Sequence, residues 1–350
     1  MNYGLPYQGS KNRIAKRLVD ALPAAPVLYD VFCGGCAITH AALLSGKYQR
    51  FVVNDLRGWL PDAFQKAIHG GYAHEDRWIS REDFKRLKST DAYAALCFSF
   101  GNNCRSYMYA PHLEPYKRAL HYAIFWRDFA PWRELCPETA DALVAGLAPI
   151  EDRKQRRVQA GHFIVESLKA QLAAGMLTPD ILDKPIYRQI RRVKDTPHSL
   201  ERLQSLERLE RLQSLERLER LESLESLESL ERLESLQSLE SLERLQSLES
   251  LPGVLTAHSG DYRELRFDEP GIIYCDPPYK STEGYDREFD FDDFYAWCEH
   301  QANPVYISEY TMPEDRFVPV AAFTVTRKLN AKKSSICPEK IWRPRCQLDI

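Results

Sequence analysis

The segment IIYCDPPYKS, residues 272–281, places a carboxylate and two prolines directly after a run of strand-forming apolar residues. An aromatic exocyclic amine is a poor nucleophile, so acceptors that hold its two hydrogens can orient it toward a methyl group carried on sulfur. The Asp276 carboxylate and the Pro277 carbonyl can accept those hydrogens. Pro278 stiffens the turn, and Tyr279 offers a flat face on which a base can stack. The turn therefore predicts methyl transfer to an aromatic amine, against the alternative of an ordinary surface turn.

A glycine turn follows the first strand-like run, in the segment DVFCGGCAITH. Gly34 and Gly35 let the backbone approach a ligand closely, and Asp30 ends the strand that leads into them. Asp55 ends the next strand-like run about 20 residues later, the spacing at which a nucleotide-binding sheet places a carboxylate on ribose hydroxyls. The alternative for Asp55 is a helix N-cap. Together these residues predict a nucleotide-type ligand at the turn.

The cysteines predict neither a disulfide framework nor a metal site. The chain has nine cysteines, an odd number, which is typical of reduced thiols. Cys33 and Cys36 form a CxxC pattern, but no second CxxC or Cys/His pair follows that would complete a zinc site. We therefore expect no metal.

Strand-like runs alternate with helix-compatible stretches on both sides of a central region. This alternation predicts an open, mostly parallel α/β sheet that binds its ligands at the carboxyl ends of the strands. The runs are residues 26–33, 50–55, 253–259, 271–276 and 303–309.

Outside the leucine repeat described below, these motifs resemble those of S-adenosyl-L-methionine-dependent, DNA adenine-specific (N6) methyltransferases of the Dam-like, D12 class. YQGSKNRIA resembles the amino-terminal cofactor motif of that family, DVFCGGCAI its methionine-end loop, VVNDL its ribose-binding acid and YCDPPY its catalytic loop. HSGDYREL, residues 258–265, is similar to the segment that precedes the catalytic loop. One departure is Cys36, which stands where the family loop F-x-G-x-G has its second glycine.

The resemblance implies a Rossmann-like methyltransferase sheet, mostly parallel with an antiparallel strand, plus an inserted helical target-recognition region. It also implies a set of residues that bind S-adenosyl-L-methionine, with Asp261 near the adenine of the cofactor. That set is Tyr7, Lys11, Asp30, Phe32, Gly34, Gly35, Asp55 and Asp261.

The activity that the resemblance implies is methylation of the N6 amine of adenine in double-stranded DNA, with the base swung out of the helix. Three alternatives stay open. The same chemistry could act on the N4 amine of cytosine or on adenine in RNA. The sheet and Asp55 would also suit a nicotinamide-dependent oxidoreductase, although GxGxxG is missing. The third alternative is a non-catalytic DNA-binding or assembly protein.

The segment CFSFGNNCRSYMYAP, residues 97–111, is similar to the family segment that contacts DNA near the flipped base. Asn102, Asn103, Arg105 and Tyr107 carry amide, guanidinium and aromatic groups suited to base edges and stacking. The alternative is a loop with structural polar contacts. Two basic clusters, which could contact phosphates or form solvated helix faces, are Arg153, Lys154, Arg156 and Arg157, then Arg188, Arg191, Arg192 and Lys194.

From Leu200 to Leu251 a leucine stands at every third position, with Glu, Arg, Ser and Gln between. These residues favour a helix, in which leucines three apart drift around the axis, so we expect no constant apolar stripe. The repeat is either a tolerated helical insert or a partner-binding, self-associating arm.

These features divide the 350 residues into a catalytic domain, a target-recognition region and the repeat. We assign residues 1–57 and 252–350 to the catalytic domain, 58–198 to the helical region and 199–251 to the repeat. The net charge is −3, but the repeat is acidic and the remainder is mildly basic, which is compatible with DNA. The chain shows no apolar run of membrane-spanning length and no signal peptide at its start, which predicts a cytoplasmic protein without a membrane partner.

Overall fold

The computed structural model describes residues 2–111, 113–161, 163, 234–251, 253–278, 289–330 and 333–348. The chain forms two compact units. The first comprises Met1–Glu75, Ile79–Tyr107 and Ser235–Ile350, and the second comprises Asp76–Trp78 and Met108–Glu234.

The first unit is built on a seven-stranded sheet with the order β3-β2-β1-β4-β5-β7-β6. Strands β1 to β5 pair in parallel, and β7 pairs antiparallel with both of its neighbours, β5 and β6. The sheet confirms the predicted Rossmann-like fold with one antiparallel strand. Its strands are β1 Val27–Asp30, β2 Arg50–Asp55, β3 Val254–Ser259, β4 Gly271–Cys275, β5 Val305–Glu309, β6 Phe317–Asn330 and β7 Lys333–Pro344.

The central strands are buried along their whole length, which explains why they read as continuous apolar runs. Every residue of β1, β4 and β5 is buried. The first unit also contains helices, which parallel strands need for their crossover connections. They are α1 Ala15–Ala21, α2 Ala37–Ser45, α3 Trp59–Ile68, α4 Arg81–Leu87 and α5 Ala92–Cys97.

Strands β6 and β7 are absent from the predicted runs. β6 has the sequence FVPVAAFTVTRKLN, which is rich in β-branched and apolar residues, and that composition could have indicated a strand. β7 includes KSSICPEK, where proline and charged residues obscure the strand signal. Pairing with β5 and β6, rather than local preference, establishes β7.

The second unit is helical over its described residues. Its helices are α6 Glu114–Phe125, α7 Ala130–Leu135 and α8 Pro137–Leu147, followed by helical residues 153–161. Arg156, one of the candidate phosphate contacts, is buried and donates hydrogen bonds to the carbonyls of Ile124, Ile150 and Glu151. Its guanidinium therefore satisfies helix-end carbonyls, and the phosphate interpretation is wrong for this residue. The cluster Arg188–Lys194 lies outside the described residues.

The carboxyl-terminal end of the leucine repeat belongs to the first unit. It forms helix α9, Glu234–Glu243, which tightens into a 3-10 turn at Arg244–Leu248. The predicted helix is confirmed here, but the expected absence of an apolar stripe is wrong. Five successive leucines are buried: Leu236, Leu239, Leu242, Leu245 and Leu248.

The last α-helix among the described residues is α10 Phe291–Glu299, and its N-cap is Asp290, whose carboxylate accepts from the amides of Asp292 and Asp293. Phe294 and Cys298 of α10 pack in a core with Ile273, Ile307 and Trp342. Across the described part of the chain, no helix combines the length and apolar character needed to cross a membrane.

Candidate active site

A buried lysine joins three distant segments of the chain at the carboxyl end of the sheet. Lys11 lies just before α1, and its Nζ is 3.0 Å from Oδ1 of Asp276, the residue that follows β4. The same Nζ is 3.2 Å from Oε1 of Glu339 on β7. The Lys11 side chain is 9% exposed and that of Glu339 is 2% exposed. Lys11 and Asp276, both predicted site residues, therefore lie in direct contact.

The protonation of Lys11 follows from this pairing. Burial alone would lower the pKa of the ammonium, but the charges and hydrogen bonds of Asp276 and Glu339 outweigh it and raise the pKa above its usual value. Lys11 is therefore a cation between two carboxylates.

Two acids that the sequence analysis missed lie beside this lysine. Glu339 accepts a 2.6 Å hydrogen bond from the Ser308 hydroxyl. Glu309, at the end of β5, accepts from the Tyr310 amide at 2.8 Å through Oε1. Burial raises the pKa of Glu309 to about 7, and the negative charges of Asp276 and Glu339 act in the same direction. In the sequence, Glu309 could have been recognised as a site candidate because it is an acid at the end of the apolar run NPVYISE. No pattern in the residues around Glu339 marks it as one.

The glycine turn is held to the end of β2 by Asp55. The carboxylate accepts from the Gly34 amide and from the Arg57 amide, each at 2.9 Å. Burial raises the pKa of Asp55 although these two hydrogen bonds oppose the shift. Helix α3 has Gly58 as its N-cap, so the N-cap alternative for Asp55 is wrong.

The amino-terminal motif packs directly onto the glycine turn. The Leu5 amide donates to the Gly35 carbonyl at 2.7 Å. A Cβ on Gly35 would lie 2.9 Å from the Cβ of Tyr7, so only glycine fits here without a shift of Tyr7. Cys36, the departure from the family pattern, has φ 55 and is left-handed. That conformation explains why glycine suits this position.

Asp30 is buried at the end of β1. Its Oδ2 accepts a 2.6 Å hydrogen bond from the Thr39 hydroxyl, and burial raises the pKa of the carboxyl to about 7. Its Oδ1 has no hydrogen-bond partner among the described residues. Phe32, two residues later, packs against Tyr262 with ring centroids 5.2 Å apart.

The thiols of the CxxC pattern lie inside the same turn. Cys33 and Cys36 are both buried, and burial raises the pKa of each thiol. Neutral thiols are poor nucleophiles and poor metal ligands. Among the described residues, no group of His, Cys, Asp and Glu side chains has an arrangement suited to a metal ion.

Asp261 is engaged locally. Its carboxylate caps the 3-10 turn Tyr262–Glu264 through the Arg263 amide and also accepts two hydrogen bonds from the Arg263 guanidinium. A contact from Asp261 to a cofactor would therefore have to coexist with this ion pair.

The predicted DNA-contacting loop uses most of its polar groups internally. Asn102 donates to the Leu96 carbonyl at 2.7 Å and to the Ser238 hydroxyl at 2.9 Å. Asn103 accepts from two amides of its own turn, and the Tyr107 hydroxyl donates to the Ile79 carbonyl. For these three residues, the contacts agree with the alternative of a loop with structural polar contacts.

Two side chains of the same loop remain exposed to solvent. Arg105 is exposed, and Phe100 is 67% exposed, the largest fraction among the large apolar side chains described. The sequence analysis missed Phe100, since an exposed phenylalanine cannot be told from a buried one by type.

The DPPY turn begins where the structure brings Asp276 to Lys11. Pro277 is buried and Pro278 is half-buried. Tyr279 lies outside the described residues. A carboxylate fixed by a buried cation, followed by a proline carbonyl, is an arrangement that can accept the hydrogens of an amine.

Comparison with known proteins agrees with this chemistry. No curated protein matches the chain. Residues 7–106, which contain Lys11, the glycine turn, Asp55 and the loop with Asn102, match the model of the D12 class N6 adenine-specific DNA methyltransferase family. The match over these residues favours a methyltransferase over the nicotinamide-dependent oxidoreductase, and it supports an adenine-specific DNA methyltransferase similar to the D12 class.

Proposed function

We propose that the protein transfers a methyl group from S-adenosyl-L-methionine to the N6 amine of an adenine that has been flipped out of double-stranded DNA. The observation that carries this proposal is the ion pair between Lys11 and Asp276 at 3.0 Å, in which the two side chains are 9% and 18% exposed. It fixes the carboxylate of DPPY at the carboxyl end of β4, next to the strand that leads into the glycine turn. Ligands of open α/β sheets bind at this edge.

The residues of the glycine turn fit the proposed cofactor. Asp30 has a buried oxygen without a partner among the described residues, which suits a cationic or hydrogen-bond-donating group such as an α-amino group. Asp55 lies at the end of the neighbouring strand, where a carboxylate can accept from ribose hydroxyls. S-adenosyl-L-methionine, when bound, supplies an electrophilic methyl group on a sulfonium centre.

Asp276 and Pro277 are the proposed catalytic pair. The Asp276 carboxylate and the Pro277 carbonyl each accept one hydrogen of the amine, which turns the nitrogen lone pair toward the methyl group. Lys11 orients Asp276 through their ion pair. Once the nitrogen gains a methyl group it carries a positive charge, and it becomes neutral again by releasing one of its two protons.

The DNA-binding part of the proposal rests on the loop of residues 97–107 and on the helical region, residues 58–198. Asn102, Asn103 and Tyr107 act in this proposal by shaping the loop, because their polar groups bond within the protein. Phe100 and Arg105 are the groups that the loop presents to a duplex. An aromatic side chain can occupy the space from which a base has moved, and a guanidinium can bind phosphate.

The test is replacement of Asp276 by alanine. We expect methylation of unmodified DNA to fall by about 10²-fold or more, since an acceptor aimed at the reacting group is lost, whereas S-adenosyl-L-methionine binding persists. The matched control is Asp268→Ala, which removes an exposed carboxylate a few residues upstream. The reaction is followed by transfer of labelled methyl groups and by nucleoside analysis of the product.

Retention of substantial activity by Asp276→Ala would remove Asp276 from the mechanism. Nucleoside analysis that found N4-methylcytosine, or labelling of RNA instead of DNA, would assign the same site to a different amine.

A further inference from the structure

The carboxyl-terminal end of the leucine repeat packs against a specific surface of the first unit, which we call the docking surface. It includes α3, Gly70 and Asn102. The 3-10 turn Arg244–Leu248 contacts α3. The side chain of Gln246 lies against Gly70, where an added Cβ would be 2.6 Å from its Nε2. The residues docked here are Ser235–Leu248, and we call them the docked segment.

The helix type changes partway along the docked segment. In an α-helix each step of three residues turns the leucine position back by about 60°. In a 3-10 helix positions three apart eclipse, so the drift stops. Leu236, Leu239 and Leu242 lie in α9, and Leu245 and Leu248 lie in the 3-10 turn. All five are less than 5% exposed.

The docking surface also favours serine over arginine at the position that precedes a leucine. Along the repeat that position is either serine or arginine. In the docked segment Ser235 is 4% exposed and Ser238 is 6% exposed. Ser238 Oγ accepts a 2.9 Å hydrogen bond from Asn102, whose amide also donates to the Leu96 carbonyl. Arginine at either position would bury a guanidinium, which is costly without a paired anion.

A second segment of the chain meets the same requirement. Residues 223–236 read SLESLESLERLESL, and the docked segment reads SLQSLESLERLQSL. They differ only where Glu225 and Glu234 stand in place of Gln237 and Gln246, and both glutamines are exposed in the docked segment. Serines stand at both buried positions, and an arginine stands at the position of Arg244.

We propose that the docking surface reads the register of the repeat through serine at two buried positions, and that residues 223–236 are an interchangeable occupant of it. The repeat can then lose or gain a block of twelve residues while the first unit keeps its docked helix. Shifts of three or six residues place Arg232 at a buried serine position.

Internal deletions in the full chain test the proposal, because residues after the deletion keep their distance to β3. Removing residues 235–246 brings Ser223 and Ser226 to the buried positions and Arg232 to the place of Arg244. Removing only residues 235–240 brings Arg232 to the place of Ser238. Melting temperature and methyl transfer are measured for both variants and the parent.

We expect the twelve-residue deletion to lower the melting temperature less than the six-residue deletion does. The twelve-residue deletion should melt within about 2 °C of the parent, and the six-residue deletion at least about 5 °C lower, because an unpaired buried charge costs several times more than an exposed Gln→Glu change. Adding Arg232→Ser to the six-residue deletion should restore the melting temperature. This rescue would show that the loss of stability comes from the register of the repeat and not from its shorter length.

Three outcomes would overturn the proposal. Equal stability of the two deletions would show that any leucine repeat docks regardless of register. Severe loss in both, with no rescue by Arg232→Ser, would show that the docked segment is unique. A twelve-residue deletion that is stable only as a dimer would assign the occupant to a second copy of the chain.

Discussion

At the scale of single residues, the site depends on one buried cation shared by two carboxylates. Lys11 is 3.0 Å from Asp276 and 3.2 Å from Glu339, so the two acids compete for its position. The Ser308 hydroxyl holds Glu339 in place. Removing one partner of a buried ion pair commonly costs 3–5 kcal/mol, roughly, since the remaining charge is left without compensation. Glu339 is therefore a positioning residue that acts through Lys11.

Replacing Glu339 by glutamine tests this role. Glutamine keeps the shape and a hydrogen-bond acceptor for Ser308, but it lets Lys11 shift toward Asp276. We expect kcat for methylation to fall by about tenfold or more, with KM for the methyl donor little changed, because a displaced Asp276 presents its acceptor poorly. Steady-state kinetics measures kcat and KM separately.

The control is Glu314→Gln, which neutralises an exposed glutamate. An unchanged kcat in Glu339→Gln, together with a lower melting temperature, would mean that Glu339 supports only the fold.

At the scale of elements, the loop after α5 is shaped by three left-handed residues and presents an apolar tip. Gly101, Asn102 and Cys104 have φ between 56° and 58°. Non-glycine residues adopt this conformation only where surrounding contacts hold them, and Asn102 has two such contacts. The backbone is thus fixed by the protein itself, and Phe100 points its ring to solvent at a defined place.

Truncation of Phe100 to alanine tests the loop as a DNA-contacting element. Stacking of a base on an aromatic ring contributes about 1–3 kcal/mol. We expect the Kd for duplex DNA to rise about tenfold, while the melting temperature of the free protein hardly changes because the ring is already exposed.

Leu44→Ala is the matched control, since Leu44 is an exposed apolar residue on α2. Binding is measured by fluorescence anisotropy at fixed salt. Equal Kd values for Phe100→Ala and the parent would remove this residue from the DNA interface.

At the scale of the whole molecule, the sheet gathers acidic groups at its buried centre, and this links stability to pH. Burial raises the pKa of Glu309 to about 7, so the folded state holds a proton that the unfolded chain releases near pH 4.3, the ordinary value, roughly. Stability from Glu309 is therefore fully present at low pH and is lost as pH rises toward 7. His40, whose pKa burial lowers to about 4, acts in the opposite direction, with loss as pH falls.

Glu309→Gln isolates the contribution of Glu309 to the pH dependence of stability, because His40 and the other titrating groups are the same in the variant and the parent. The variant mimics the protonated carboxyl at every pH. We expect the free energy of unfolding of the variant, relative to the parent, to increase by about 2 kcal/mol between pH 5 and pH 8. Urea unfolding at the two pH values measures it. A difference that does not depend on pH would place the pKa of Glu309 near its ordinary value.

The sequence alone determined the five parallel strands, the glycine turn and the DPPY motif. Each of these is a contiguous pattern, because apolar runs, turn residues and the acid at a strand end are set by neighbouring positions. The sequence also indicated Lys11 as a site residue, through a family resemblance that the match over residues 7–106 confirms.

Tertiary structure decided which partners those residues have. Glu309 and Glu339 come from β5 and β7, and an ion pair across hundreds of residues leaves no local pattern. The same holds for Asn102, whose amide bonds a serine of the repeat, and for Asp261, which pairs with Arg263. The repeat shows the reason most directly: a three-residue period drifts around an α-helix, yet packing on the first unit buries five successive leucines, the last two of them in a 3-10 turn.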